Sequence, residues 1–427
     1  MSGMSIGMTM FGALMLLLVL RVHIGIAMFV IGAAGFVVMF DFSWLPLLNS
    51  LKNLAYARFS NYDLAVIPVF MLMGQFATNG GLSRALFRCV NNFVGHMRGG
   101  VAMAAIGACA SFGAICGSSL ATAATMGQVA LPELRRYNYS GALSTGALAA
   151  GGTLGIMIPP SVPLVIYAVL TQESIGKLFM AAIIPGILAM VGYMIVIRIV
   201  VTLSPEAGPA GERVPLATAL RSLLGVVPIL LVFVVVIVGI YGGWANPTEA
   251  ASIGAAACGI LAFVTGGMRI EGLIKSLFGT AQATAMIFLV LLGADMLNAG
   301  LALTQMPSEL AAWVQGSGLP PLSVIFAILL IYIFLGCVMV MGLDFWGMSV
   351  PDKSLWFGIL ALMVVEIGLV HPPVGMNIYI INRLAKDVPV METFKGVLPF
   401  LASDLVRIVL LVFFPVISLY LVHTFGA

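Results

Sequence analysis

Charge is what this sequence has least of. Asp, Glu, Lys and Arg together make only 8% of its 427 residues, against roughly 25% in a soluble domain. That excludes a molecule whose whole surface faces water. Hydrophilic runs are scarce too, and 204–222 (SPEAGPAGERVPLATALRS) reads as the one true hydrophilic loop. Cysteine is sparse. Cys89, Cys109, Cys116, Cys258 and Cys337 stand singly, with no CxxC pair or Cys/His cluster, which argues against a disulfide framework or a metal cluster. The net charge of +3 is spread over short loops, so there is no basic footprint for nucleic acid. No Lys or Arg precedes Arg21. The apolar start therefore lacks the charged opening of a secretory signal and reads as a retained first span.

What is present is apolar. Hydrophobic residues make 61% of the chain, in recurring stretches of about 20 residues, the length a helix needs to cross hydrocarbon. The 48 glycines and 21 prolines would break soluble helices, but membrane helices tolerate them where neighbours satisfy the freed backbone. The expected fold class is an all-α polytopic membrane protein. Ordinary crossings are predicted at 4–20, 24–40, 62–79, 175–200, 223–243, 248–267, 280–301 and 397–423. Longer interrupted segments are predicted at 141–170 and 355–381, re-entrant hairpins at 101–135 and 321–350, and surface segments at 42–60 and 268–279.

Most of the 19 Lys and Arg, from Arg84 and Arg88 through Arg135 and Arg136 to Arg383, Lys386 and Lys395, fall on one side of this layout. The positive-inside rule makes that side cytoplasmic, provided both hairpins enter and leave by the same face. The two halves then match. Gly155-Ile-Met-Ile-Pro159-Pro160 and Gly368-Leu-Val-His371-Pro372-Pro373 share G-x-x-x-P-P inside a long apolar segment, and each follows a candidate hairpin. Proline removes a backbone donor and breaks the helix. Paired breaks in opposed halves point to an inverted-repeat transporter with its site near the midplane. The predicted organisation is a first repeat over 1–203 with its hairpin at about 101–135, a cytoplasmic loop over 204–222, and a second repeat over 223–427 with its hairpin at about 321–350.

The richest polar segment is Cys116-Gly-Ser118-Ser119-Leu-Ala-Thr122-Ala-Ala-Thr125-Met-Gly127. Glycine lets the chain turn and exposes carbonyls, and hydroxyl and carbonyl oxygens are neutral, hard ligands that suit Na⁺. Ser118, Ser119 and Thr122 are the candidate ligands, whereas Ala123, Ala124 and Gly127 read as close helix packing. Glu366 lies deep in an apolar segment, as an ion relay or a structural partner. His371 lies in the second break, lining the site or capping a half-helix. Asp295 is expected to pair within the helical bundle, and Glu249 after Asn246-Pro247-Thr248 to cap a helix start.

The stretch GACASFGAICGSSLATAATMGQVALPELRRYNYS, with GALAAGGTLGIMIPPSVPLVIYAVLTQESIGKLFMAAIIPG, resembles the large M subunit of TRAP (tripartite ATP-independent periplasmic) transporters. So do IPVFMLMGQFA, GIYGGWANPTEAASIGA, WFGILALMVVEIGLVHPPVGMN and KGVLPFLASDLVRIVLL. The resemblance implies an elevator-type symporter in the bacterial inner membrane with no cofactor, driven by Na⁺ as coupling ion. It would import a small carboxylate, such as a C4-dicarboxylate or sialic acid. Its implied partners are a small four-helix membrane subunit and a periplasmic substrate-binding protein. By position, Ser118, Ser119 and Thr122 with Gly155, Pro160 and Ser161 would frame one Na⁺ site. Gly368, His371, Pro372, Pro373 and Gly375 would belong to its symmetry mate.

One departure stands out. After Gly336-Cys337-Val338-Met339 the family pattern carries a return arm, but here the chain passes straight to Val340-Met341-Gly342-Leu343-Asp344. The second hairpin is about 15 residues short, or about 22 Å of helix. The shortened hairpin sets a second reading beside the transporter, a non-transporting membrane scaffold for the partner subunit, and the membrane-embedded Ser118 or Ser119 with His371 set a third, an intramembrane serine hydrolase.

Overall fold

The computed structural model describes residues 3–20, 22–316, 347–371 and 375–425. Most of the second predicted hairpin, together with Pro372 and Pro373, lies outside them. The described chain is helical: α1 (Gly3–Val19), α2 (Ile24–Met39), α3 (Leu45–Phe59), α4 (Val66–Asn79), α5 (Leu82–Val94), α6 (Gly100–Cys116), α7 (Ser119–Arg136), α8 (Gly141–Met157), α9 (Val162–Thr171) and α10 (Ile175–Leu203). It continues with α11 (Leu216–Leu224), α12 (Val227–Tyr241), α13 (Pro247–Val264), α14 (Ile270–Leu303), α15 (Met306–Gly316), α16 (Val350–Val370), α17 (Met376–Leu384), α18 (Val390–Phe413) and α19 (Val416–Phe425). Among the described residues six helical segments are long and apolar enough to cross a membrane, or eight if two bent pairs each count as one span. The protein is a multi-pass membrane protein.

Several sequence expectations take a different form. The segment 268–279 does not stand apart from 280–301, because α14 runs unbroken through both. Its 34 residues extend about 51 Å at 1.5 Å per residue, well beyond a hydrocarbon core of about 30 Å. The mixed polarity of its start is thus the exposed Glu271–Lys275 pair (2.8 Å) on the first turns of a long helix. The last crossing divides into α18 and α19 at Pro415. The hydrophilic loop ends early, where α11 begins at Leu216, and α5 occupies a stretch with no predicted element. Both α5 and α11 are amphipathic, and the short, mixed composition of such helices hides them from a search for apolar spans.

Contacts divide the chain into two compact units. One contains 3–65 and 278–316. In it α2 and the later part of α14 approach closely at glycines: a Cβ on Gly25 would sit 3.0 Å from the Leu289 backbone, and one on Gly300 2.7 Å from the Gly32 carbonyl. This is the small-residue contact that lets helices touch without a hydrophobic driving force. Phe36, Val37, Leu47 and Met296 form the core of the unit. Asp295 pairs with Arg58 on α3 through two hydrogen bonds, one from Nε at 2.6 Å. Neither charge is left alone at low dielectric.

The other unit contains 66–277, 347–371 and 375–425. Here α8 is the centre, packed against α6, α7 and α18. From Leu143 to Met157 every residue of α8 is buried. Small residues make this possible: a Cβ on Gly151 would reach Ile106 Cδ1 at 3.0 Å, and one on Gly152 would reach Ala123. The start of α13 shows the expected cap, with Asn246 and Glu249 forming a reciprocal capping box (2.8 and 2.9 Å).

Candidate functional site

The hairpin of α6 and α7 turns within two residues. Gly117 caps α6 with φ of 63°, a left-handed conformation that glycine adopts without a Cβ penalty. Extended Ser118 then opens α7, its Oγ accepting a long hydrogen bond from the Ala121 amide (3.4 Å). The α8–α9 segment breaks at Ile158-Pro159-Pro160-Ser161. Ile158 is extended, as a residue before proline must be, and extended Ser161 opens α9. The Pro159–Pro160 peptide is cis.

Turn and break meet. The Val162 amide donates to the Gly117 carbonyl (3.4 Å). A Cβ on Gly117 would sit 2.9 Å from the Pro160 carbonyl oxygen. A Cβ on Gly155 would sit 2.7 Å from the Ser118 carbonyl oxygen and would collide with Thr122 Oγ1. The structure therefore brings Ser118, Thr122, Gly155, Pro160 and Ser161 to one place. The C-terminal ends of α6 and α8, with their unsatisfied carbonyls, arrive there as well.

The polar atoms at this junction are short of partners. Thr122 and Ser161 are 0% and 1% exposed, and neither hydroxyl oxygen has a hydrogen-bond partner among the described residues. The Cys116 thiol beside Thr122 is only a weak donor. A buried hydroxyl left unpaired costs about 1–3 kcal/mol. No carboxylate occurs in 113–125 or 155–165. The oxygens are neutral, buried and available, a donor set that fits a small monovalent cation.

Ser119 is engaged differently. Its Oγ accepts from Asn377 Nδ2 (2.7 Å), which also donates to the Ala149 carbonyl (3.1 Å). Asn377 is fully buried and its Oδ1 has no partner among the described residues. It opens α17, just after Gly375 (φ 41°), whose amide donates to the His371 carbonyl (2.9 Å). Through Asn377 the second broken segment reaches the first hairpin. Sequence reasoning did not single it out, although a lone amide two residues past a helix-breaking glycine was a visible signal. His371 is exposed at the end of α16. Among the described residues, nothing lies within 4 Å of a Cβ built on Gly368.

Glu366 belongs to a separate buried cluster. It accepts from Thr153 Oγ1 (2.7 Å) on α8 and Tyr193 Oη (3.3 Å) on α10, and it pairs with Arg407 Nη2 (2.6 Å) on α18. The same Nη2 reaches Asp404 Oδ1 (2.8 Å), and Tyr193 Oη donates to Asp404 Oδ2 (2.9 Å). Tyr193 and Asp404 were missed in the sequence. Asp404 and Arg407, three residues apart in an apolar helix, were the clue.

The profile of the family described as "Tripartite ATP-independent periplasmic transporter, DctM component" matches residues 11–417. The C4-dicarboxylate TRAP transporter large permease protein DctM of Pseudomonas aeruginosa is 34% identical over 393 residues, covering 88% of this chain and 91% of that one. The sialic acid TRAP transporter large permease protein SiaM of Vibrio cholerae is 30% identical, covering 86% and 87%. The isethionate TRAP transporter permease protein DctMQ of Oleidesulfovibrio alaskensis is 30% identical, covering 96% of this chain and 65% of its own length. Among solved structures, the YdaH transporter of Alcanivorax borkumensis superposes with a TM-score of 0.57 over 86% of this chain and 88% of that one, at 14% identity, a likeness of fold alone. The extent of the family match and the identity to these permeases settle the assignment: this chain is a transporter subunit rather than an enzyme, and it belongs to the large permease (DctM) component family of tripartite ATP-independent periplasmic transporters.

Proposed function

We propose that the chain is the permease of a Na⁺-coupled importer of a small organic acid. The carboxylate would be delivered by a periplasmic binding protein, and the permease would work beside a small four-helix membrane subunit in the bacterial inner membrane. The observation that carries the reading is the pair of buried, unpartnered hydroxyls of Thr122 and Ser161 at the meeting of hairpin and break. With helix C-termini and no carboxylate, this junction supplies the uncharged oxygen shell that suits Na⁺ rather than a divalent ion. Gly368, His371, Pro372, Pro373 and Gly375 are assigned to the related site of the second half. An elevator motion would carry the hairpin, break and Asn377 together as one body. The relatives' names support a small anionic cargo, since they cite C4-dicarboxylates, sialic acid and isethionate.

Proteoliposomes holding this chain and its partners test the reading. Uptake should require a Na⁺ gradient and should not require ATP. In Thr122→Ala and Ser161→Ala the Na⁺ concentration for half-maximal uptake should rise about tenfold, the equivalent of about 1.4 kcal/mol for one lost ligand oxygen. Equal uptake with K⁺ in place of Na⁺ would reject it.

A further inference from the structure

The Glu366 cluster carries an imbalance that its own hydrogen bonds do not resolve. Two carboxyls, Glu366 (0% exposed) and Asp404 (1%), face one guanidinium, Arg407 (4%). With all three ionised, a net negative charge would sit inside a membrane protein with no counter-ion, which costs several kcal/mol. The cluster lies where α8, α10, α16 and α18 pack together. Of these, α8 has no titratable side chain and α10 presents Tyr193. α16 presents Glu366, and α18 presents Asp404 and Arg407. The remaining charged residues of the four helices lie near their ends.

Donor arithmetic points the same way. The Thr153 hydroxyl has one hydrogen, yet its oxygen lies 2.7 Å from both the Ala150 carbonyl and Glu366 Oε1. One hydrogen is thus shared between two acceptors, and a proton on Glu366 Oε1 donated to Thr153 would let Thr153 donate fully to Ala150. Tyr193 Oη lies 2.9 Å from Asp404 Oδ2 and 3.3 Å from Glu366 Oε1, again with one hydrogen for two acceptors. A proton on Asp404 Oδ2 would donate to Tyr193, whose own hydrogen would turn to Glu366. The tyrosine hydroxyl thus joins the two carboxyls as a proton bridge.

We propose that Glu366 and Asp404 form a one-proton site, the proton being shared between them through the Tyr193 hydroxyl and balanced by Arg407. The ligand of the site is a proton, and it makes the four-helix junction electrically neutral. This is separate from the Na⁺ reading, and the test needs no transport. Among the described residues these are the only buried carboxyls, and infrared spectroscopy of the full chain and its carboxyl variants in lipid nanodiscs reads their protonation.

The wild type should show the carbonyl stretch of a protonated carboxylic acid at neutral pH. Glu366→Gln and Asp404→Asn should each abolish it, because the single carboxylate left is then neutralised by Arg407. Tyr193→Phe should keep the band but shift it. No band in the wild type, or a band surviving in either carboxyl variant, overturns the proposal. If either carboxyl variant fails to fold, the wild-type band and its shift in Tyr193→Phe decide.

Discussion

Two buried polar regions of the same compact unit solve the problem of polarity in a membrane in opposite ways. At the meeting of hairpin and broken helix the groups are neutral and two hydroxyls, Thr122 and Ser161, lack partners. Around Glu366 the groups are ionisable and each carboxyl oxygen has a hydrogen-bond partner, although Arg407 Nε and Nη1 have none among the described residues. On the proposed reading the first region is open to a cation, whereas the second joins its helices through shared hydrogen bonds and ion pairs. Unpaired neutral oxygens cost little enough to be tolerated and stay available, whereas an unpaired charge would not be tolerated at all.

The largest break in that contrast should come from Arg407→Ala. It leaves the negative charge of the Glu366–Asp404 pair buried without its cation and is expected to cost about 3–5 kcal/mol, read as loss of folded protein in denaturation of the purified permease. Next is Asn377→Leu, which leaves Ser119 Oγ and the Ala149 carbonyl without their donor. A loss of about 1–3 kcal/mol is expected, with uptake falling because hairpin and second break are uncoupled. Gly155→Ala should be comparable, about 1–3 kcal/mol from overpacking against Thr122 and Ser118, with weakened Na⁺ dependence as its second readout. The least destabilising change should be Thr122→Ala, since the packing lost with its methyl is offset by removing a buried hydroxyl that costs about 1–3 kcal/mol unpaired. Its effect should appear only in the Na⁺ concentration required for uptake. A Thr122→Ala variant as unstable as Arg407→Ala would erase the distinction between the two regions.

Much of the first half of the site was legible in the sequence because its signals are local. Gly117 between apolar helices announces a turn, and Pro159-Pro160 announces a break, whatever surrounds them. The long-range partners were not legible. Glu366 stood out as a buried acid, but its neighbours Thr153, Tyr193 and Asp404 lie on three other helices. Nothing in an apolar stretch says which of its faces meets which neighbour. The reading of 268–279 as a separate surface element failed for a related reason. Polarity reports the surroundings of a residue rather than the continuity of its backbone, and α14 carries both environments along one helix.

The sequence by itself determined the membrane class, the hairpin, the breaks and the repeated G-x-x-x-P-P pattern, because length, hydropathy and the backbone limits of glycine and proline act within a few residues. Only the tertiary structure decided which polar groups were satisfied. It paired Ser119 with Asn377, left Thr122 and Ser161 without partners, and gathered two carboxyls around one guanidinium. Hydrogen bonds and ion pairs between helices depend on angstrom distances across segments far apart in the chain, and no local rule carries that information.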